Sequence, residues 1–395
     1  MKKLEKAFNP VIRRLRYKRF MRSLVSQRST EAKKLKRNGS LKKVTPEKIL
    51  APTILDIYKY EYHEGVVDFI DKIEAKAKVG SKKIYICFRN TIHISAAAGL
   101  FLLAKLETIR SNHKTLKYIV SKPPIKTTSK GEAHVVDSVL NRIGIYASLG
   151  VKVREMKENP SVKCWEVIRG ELVDSEIAGK LLETITEKMG TDYTDLYRPL
   201  IEAMSNSVEH AYREDLYNKE KNNNKNKWWC FAAIMNNKLI LLICDLGVGI
   251  PKTLKLTQGE KVLAKLTEFI GKPLTLDSEH IKASLQVKRT RTKLGYRGKG
   301  GTDLQSIIEL FENAQLRIIS NRGNYRYTKR KKAKPELIWD AKKSINGTIV
   351  EWSVPLPTKG DVAWVPYISR IFLNTPDLGM KDWVKTAEKN FVIAS

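Results

Sequence analysis

From about residue 55 onward the chain alternates between short apolar runs, rich in β-branched and aromatic residues, and longer stretches whose apolar positions recur three and four apart. The runs K-K-I-Y-I-C-F, L-K-Y-I-V and C-W-E-V-I predict strands, while S-A-A-A-G-L-F-L-L-A-K-L-E-T-I and V-V-D-S-V-L-N-R-I-G-I-Y predict helices. Strands and helices taken in turn predict a small α/β unit over 51–168. After Gly170 the pattern changes. D-S-E-I-A-G-K-L-L-E-T-I-T-E-K-M has helical spacing, and a turn at Gly190 leads to a second helix around Glu202. The apolar runs W-W-C-F-A-A-I-M and K-L-I-L-L-I-C-D flank Asn236 and Asn237, which predicts a β-hairpin. A helical insertion of about forty residues, Thr253 to Arg291, follows. Helix L-Q-S-I-I-E-L-F, strand L-R-I-I-S and strand G-T-I-V-E-W-S-V-P-L complete the series.

A length of 395 residues predicts two or three domains with ample core. P-E-K-I-L-A-P-T, with Pro46 and Pro52, reads as a linker before the first unit. No apolar run reaches the roughly 18 residues a membrane span needs, and the lysine-rich start lacks the apolar centre of a signal peptide. The expectation is a soluble, cytoplasmic protein without a membrane span. Cys87, Cys164, Cys230 and Cys244 lie far apart in strand-like runs and match no zinc spacing, so buried reduced thiols are expected.

The formal charge of +31 brings acidic partners into consideration. Residues 1–50 hold 17 Lys and Arg against 3 Glu. Within them V-I-R-R-L-R-Y-K-R-F-M-R-S-L-V, with Val11, Leu15, Phe20 and Leu24 between the cations, has the pattern of a basic amphipathic helix. It could meet nucleic acid, anionic lipid or an acidic protein groove, or remain a solvated tail. A second cluster, 322–334, interleaves Tyr325 and Tyr327 with cations and reads either as a strand pair with a charged hairpin or as a stacking and phosphate surface.

Three motifs carry the candidate chemistry. In E-A-M-S-N-S-V-E-H-A-Y, Glu202, Asn206 and His210 fall four apart on one helix face, leaving Ile201, Met204, Val208 and Ala211 for a core. D-L-G-V-G at 245–249 and R-G-K-G-G-T at 297–302 supply two glycine-bearing turns. In this order, with the hairpin, the insertion and the closing G-T strand, the motifs resemble the nucleotide site of the GHKL superfamily of gyrase, MutL, chaperone ATPases, histidine kinases and anti-sigma-factor serine kinases.

The resemblance implies ATP and Mg2+ as cofactors and assigns roles. Asn206 would offer an amide oxygen to the metal, and Glu202 would act as the general base. Asp245 would accept from the adenine amino group, with Gly247 and Gly249 letting the backbone approach the base. Arg297, Gly298, Lys299, Gly300, Gly301 and Thr302 would form a lid cradling the phosphates, with a helix beginning at Thr302 or Asp303. Arg289, Arg291 and Lys293 are further basic candidates for the lid. Thr348 would support the aspartate, and His210 is assigned to packing or helix-end support. No acceptor-type sequence surrounds His63, His93, His113 or His134, which argues against a histidine kinase. The 38 residues after Pro357 are too few for a transducer domain.

The first unit resembles an STAS domain, the fold of anti-anti-sigma factors, through the strand Ile84–Phe88 and the turn-helix from Ile94 to Leu100. Where that family carries its phosphorylated serine this chain has Ala97, and Ser95 is better suited to an N-cap. Together these readings predict an α/β (α+β) protein. A basic helical arm over 1–50 precedes an STAS-like α/β domain over 51–168, a GHKL (Bergerat) α/β sandwich over 169–358 and a tail over 359–395. Three functions follow. The first is an ATPase or nucleotide-dependent switch in a protein or protein–nucleic-acid assembly, such as a bacterial defence system, with a protein partner or homodimer. The second is an anti-sigma-type serine/threonine kinase. The third is a nucleic-acid-binding module, through 1–45 and 322–334, with a regulatory or inert ATPase fold.

Overall fold

The computed structural model describes residues 48–124, 134–153, 163–164, 167–189, 193–213, 226–235, 237–257, 264, 266–268, 271, 273–286, 300–329 and 336–356, with Met21 alone from the arm. The rest of the 1–47 arm, Arg289, Arg291, Lys293, Arg297, Gly298, Lys299, residues 330–334 and the 359–395 tail lie outside the described residues.

The first unit opens with β1 (Lys48–Leu50), β2 (Ile54–Leu55), helix α1 (Tyr60–Lys78), β3 (Lys83–Cys87) and β4 (His93–Ile94). Helix α2 (Ala96–Asn112), β5 (Lys117–Ser121), α3 (Val135–Arg142) and α4 (Ile145–Ser148) follow. Strands β1, β3 and β5 form a parallel sheet in the order β1-β3-β5, and β2 pairs with β4. Ser95 caps α2, its hydroxyl accepting from the Ala98 N–H at 3.4 Å, which matches the N-cap reading. Helix α2 is apolar on all sides, and Ala97, Ala98, Leu100, Leu102, Leu103 and Ala104 are all buried. Such a helix needs cover all round. It receives it by lying between the rest of the first unit and a second, larger sheet.

The strand expected in C-W-E-V-I does not close the first unit. The segment forms β6 (Lys163–Cys164) and β7 (Ile168–Gly170), and both run antiparallel along the next strand, β8 (Trp228–Met235). Their main-chain groups pair the edge that β8 would otherwise expose. Helices α5 (Ser175–Met189) and α6 (Tyr197–Glu209) lie between β7 and β8 in the chain. Beyond β8 come β9 (Lys238–Asp245), α7 (Ile250–Thr257), α8 (Asp277–Ser284), α9 (Gly300–Leu310), β10 (Gln315–Ser320), β11 (Gly323–Thr328), β12 (Glu336–Asp340) and β13 (Thr348–Pro355). Met235 pairs with Lys238, so β8 and β9 form the expected hairpin. The sheet order is β12-β11-β10-β13-β9-β8-β6, with β7 also on β8.

Antiparallel strands with one wet face usually alternate apolar and polar residues. Here W-W-C-F-A-A does not alternate, because both faces of the sheet are covered. Trp228, Cys230 and Ala232 pack with Leu182, Leu200, Met204, Leu304 and Ile308 of α5, α6 and α9. Trp229, Phe231 and Ala233 share a core with the first unit. Full burial of a large apolar side chain is worth roughly 1.5–3 kcal/mol. The contact between first unit and sheet is therefore a true core.

The described part of the 322–334 cluster is a strand pair. Tyr325 is fully buried, its hydroxyl donating to Glu336 Oε1 at 2.9 Å and accepting from Gln305 Nε2 at 3.1 Å. Tyr327 and Lys329 are bound to Glu309, and Arg322 pairs with Asp277 at 3.6 Å. A base cannot stack on a ring enclosed in this way, so Tyr325 does not form the aromatic surface that the sequence suggested.

Candidate functional site

Helix α6 buries Leu200, Ala203, Met204 and Ser207, an i, i+3, i+4, i+7 stripe facing the sheet and α9. The expected stripe of Ile201, Met204, Val208 and Ala211 is off by about one position. Ile201 and Val208 are only half-buried, whereas Met204 and Ala211 are buried. The physical reason is Ser207. Its hydroxyl is satisfied within the helix by the Ala203 carbonyl at 3.0 Å, which lets a polar residue occupy a core position.

Glu202 and Asn206 share the half-buried face beside this stripe. Asn206 Nδ2 donates to Glu202 Oε1 at 3.2 Å. With its nitrogen committed, the amide presents its oxygen to anything else that approaches. His210 is the C-cap of α6, its backbone N–H donating to the Asn206 carbonyl at 3.1 Å, in agreement with a role at the helix end.

D-L-G-V-G packs directly against the end of this helix. The Val248 N–H donates to the Ala211 carbonyl at 2.8 Å, and the Leu246 N–H donates to the Tyr212 hydroxyl at 3.0 Å. The Tyr212 hydroxyl in turn donates to the Lys227 carbonyl at 2.7 Å. At Gly247 a Cβ would lie 2.2 Å from the Ala211 oxygen, so no larger residue permits this approach. Gly249 has φ +84°, and the Asn321 amide that closes over it donates to the Val248 carbonyl at 3.0 Å.

Asp245 stands where β9 ends, paired in register with Thr348 on β13 and Trp228 on β8. The Gly247 N–H donates to its Oδ1 at 2.9 Å, the main chain of its register partner Thr348 lies alongside, and Ser207 Oγ lies 3.5 Å from Oδ2. Burial pushes the Asp245 carboxyl from 3.8 up to about 7, and the Gly247, Thr348 and Ser207 donors pull it back only in part. Among the described residues no cation contributes to this balance. Thr348 supports Asp245 through its main chain, while its hydroxyl lies 3.0 Å from Ser320 Oγ. That serine also accepts from the Ile250 N–H at 2.9 Å, tying the start of α7 to the same sheet end.

Of the expected site residues, the structure therefore gathers Asp245, Gly247, Gly249 and Thr348 at one end of the sheet, with α6 linked to them through Ser207 and the Val248–Ala211 bond. Gly300, Gly301 and Thr302 form the first turn of α9, which starts two residues before the expected Thr302 and packs along α6. The other lid residues lie outside the described residues. Sequence reasoning missed Ser207, Ser320, Asn321 and the hydroxyl of Tyr212. Only Ser207 carried a sequence signal, as a small polar residue at core spacing.

Among the described residues no group of three His, Cys, Asp or Glu is placed to hold a metal ion, and no helix is long and apolar enough to cross a membrane. Cys230 and Cys244 are buried free thiols, and burial pushes Cys230 up to about 12. Comparison with models of protein families and with curated proteins finds no match to this chain.

Proposed function

We propose that the chain is a GHKL-type ATP-binding protein that works as an ATPase or nucleotide-dependent switch. The observation that carries this reading is Asp245, a buried carboxylate with no cation beside it among the described residues, held by the Gly247 N–H and approached by Ser207 at the mouth of a glycine turn. Such a group is a preformed acceptor for a donor arriving from outside, such as the amino group of adenine. Gly247 and Gly249 let the turn close against Ala211 and Asn321, which fixes Asp245 at its mouth. The first turn of α9 has main-chain N–H groups without an intrahelical partner, which suits phosphate oxygens.

Asn206 fits a magnesium ion because its nitrogen is engaged and its oxygen is not, and magnesium bound with nucleotide needs few protein oxygens. When bound, the ion would supply charge neutralisation at the phosphates. Glu202, fixed by Asn206 one turn away, orients an attacking water and receives its proton. A serine-kinase reading requires an acceptor on a separate protein. Ala97 is buried and Ser95 is occupied as a cap.

The test is equilibrium binding of a fluorescent ATP analogue with magnesium, followed by steady-state phosphate release. Glu202→Gln is expected to keep binding within about threefold and to lower turnover by a hundredfold or more, the range for a general base. Absence of saturable ATP binding by the wild-type chain would remove the proposal, and normal turnover in Glu202→Gln would remove the base.

A further inference from the structure

Parallel sheets are ordinarily covered on both faces. Among the described residues the three-stranded β1-β3-β5 sheet is covered on one only. Ile49, Ile84 and Ile86 enter the core shared with α1 and α2, so the residues between them in each strand point the other way. On that outer face the register sets Lys48 beside Tyr85 and Ile119, Lys83 beside Lys117, and Leu50 at the far end. Lys48, Lys83 and Lys117 are exposed, Leu50 is 62% exposed and Ile119 is 41% exposed.

The chemistry of the face is one-sided. The strands read K-I-L, K-I-Y-I-C and K-Y-I-V-S, without a single Asp or Glu. Among the described residues none of the three lysines makes an ion pair, and Lys48 sits over the Tyr85 ring at 5.2 Å. Tyr85 is half-buried at the centre of the middle strand, its hydroxyl 2.8 Å from Ser121 Oγ, which fixes the ring on the sheet. An open sheet face that combines a fixed central aromatic ring, flanking aliphatics and unpaired cations suits a chain of phosphates carrying flat bases. A protein partner would suit Leu50 and Ile119 but would leave three ammonium groups to be matched. A duplex would present its phosphates and bury the bases that could use Tyr85.

We propose that the outer face of the β1-β3-β5 sheet binds single-stranded nucleic acid, with Lys48, Lys83 and Lys117 on the phosphates and a base stacked on Tyr85. The surface is separated from the large sheet by α1 and α2 and does not depend on the nucleotide reading. Lys48 exchanges its place over the Tyr85 ring for a phosphate when a base arrives. Strand spacing of about 4.8 Å and a rise of about 3.3 Å per residue give the face room for two or three nucleotides.

The experiment uses the full chain and fluorescein-labelled oligothymidylate and oligouridylate of about twenty nucleotides, a length spanning several small site sizes. Binding is read by anisotropy across a salt series. Each phosphate contact to a single strand adds about 0.7 to the slope of log affinity against log salt, so Lys48→Gln/Lys83→Gln/Lys117→Gln is expected to reduce the slope by about 2. The basic arm contributes its own slope to both proteins, so the difference isolates the sheet face. Tyr85→Leu is expected to weaken binding roughly tenfold with the slope unchanged. Photo-cross-links from halogenated uridine should map to the peptide 83–87. A far-ultraviolet spectrum and melting curve matching wild type confirm that both variants fold. An unchanged slope in the triple variant, or cross-links only elsewhere, would overturn the proposal. Equal slope loss with polyglutamate, together with no effect of Tyr85→Leu, would mark a general polyanion surface and would also overturn it.

Discussion

Two buried carboxylates sit on neighbouring strands of the large sheet, and their surroundings differ in kind. Glu351, in the middle of β13, faces the first unit. It accepts from the Tyr58 hydroxyl and lies beside its register partner Arg317, whose guanidinium stacks 4.3 Å above the Tyr58 ring and donates to the Tyr58 carbonyl at 3.2 Å. Tyr58 also receives the Ala97 N–H at 3.2 Å, so one hydroxyl joins β13 to the start of α2. Burial raises the Glu351 carboxyl, and the Arg317 cation pulls against it. Asp245, at the end of β9, has a main-chain donor and a serine and, among the described residues, no cation. A carboxylate closed by side chains from two units is an internal joint. One held by its own turn and left without a countercharge is suited to a ligand.

The comparison breaks most readily at Glu351. Removing one partner so that a buried hydroxyl loses its acceptor typically costs about 1–3 kcal/mol. Glu351→Ala is therefore expected to lower unfolding free energy by roughly that amount in urea titrations, to leave the Tyr58 hydroxyl without this acceptor and to loosen the first unit from the sheet. The paired replacement Glu351→Leu with Tyr58→Phe should recover most of the loss. If Glu351→Ala alone melts like wild type, Glu351 is not a joint.

Asp245 is expected to behave in the opposite way. Its carboxyl titrates near 7 in the fold against 3.8 as a free group, so between these values the folded chain holds a proton that the unfolded chain has lost. Its contribution to stability therefore falls as pH rises from about 4 to about 7. Asp245→Asn abolishes that slope and should leave the protein more stable above pH 7, by about 1–3 kcal/mol. Nucleotide affinity should move the other way. The ionised carboxylate is the stronger acceptor, so wild-type binding should tighten as pH rises through about 7. In Asp245→Asn it should weaken roughly tenfold to a hundredfold and lose its pH dependence. Melting curves and binding titrations from pH 5 to 8.5 measure both. A variant that binds ATP as tightly as wild type would take Asp245 out of the site.

The same contrast explains what was legible in the sequence. The β8–β9 hairpin, its two strands and the cap at Ser95 follow from local rules, namely turn chemistry, apolar runs and a hydroxyl before a helix. Asp245, Gly247 and Gly249 were visible because a turn motif is contiguous. The joint was not. Tyr58, Arg317 and Glu351 are far apart in the chain, and no local pattern marks a charge that another unit will bury. C-W-E-V-I has the pattern of a strand but does not specify its partner, since an apolar run fits any available edge. Tyr325 carried a similar ambiguity, because an aromatic ring between cations suits either a stacking surface or a strand whose face is covered.

Ser207 tests the finest part of the comparison. It is a core residue by spacing and a site residue by contact, with one hydrogen bond inside α6 and a long approach of 3.5 Å to Asp245. If the Ala203 carbonyl is its main partner, Ser207→Ala changes little, because a hydroxyl bonded back into its own helix contributes little net stability. If the Asp245 contact matters, the variant loses one donor that holds the carboxyl down, and the Asp245 titration moves further upward. The second outcome is expected, with less than about 1 kcal/mol lost in stability. The pH at which nucleotide affinity reaches half its full gain should shift upward by a few tenths of a unit. A shift of that midpoint with an unchanged melting temperature assigns Ser207 to the site; a changed melting temperature with a fixed midpoint assigns it to the core alone.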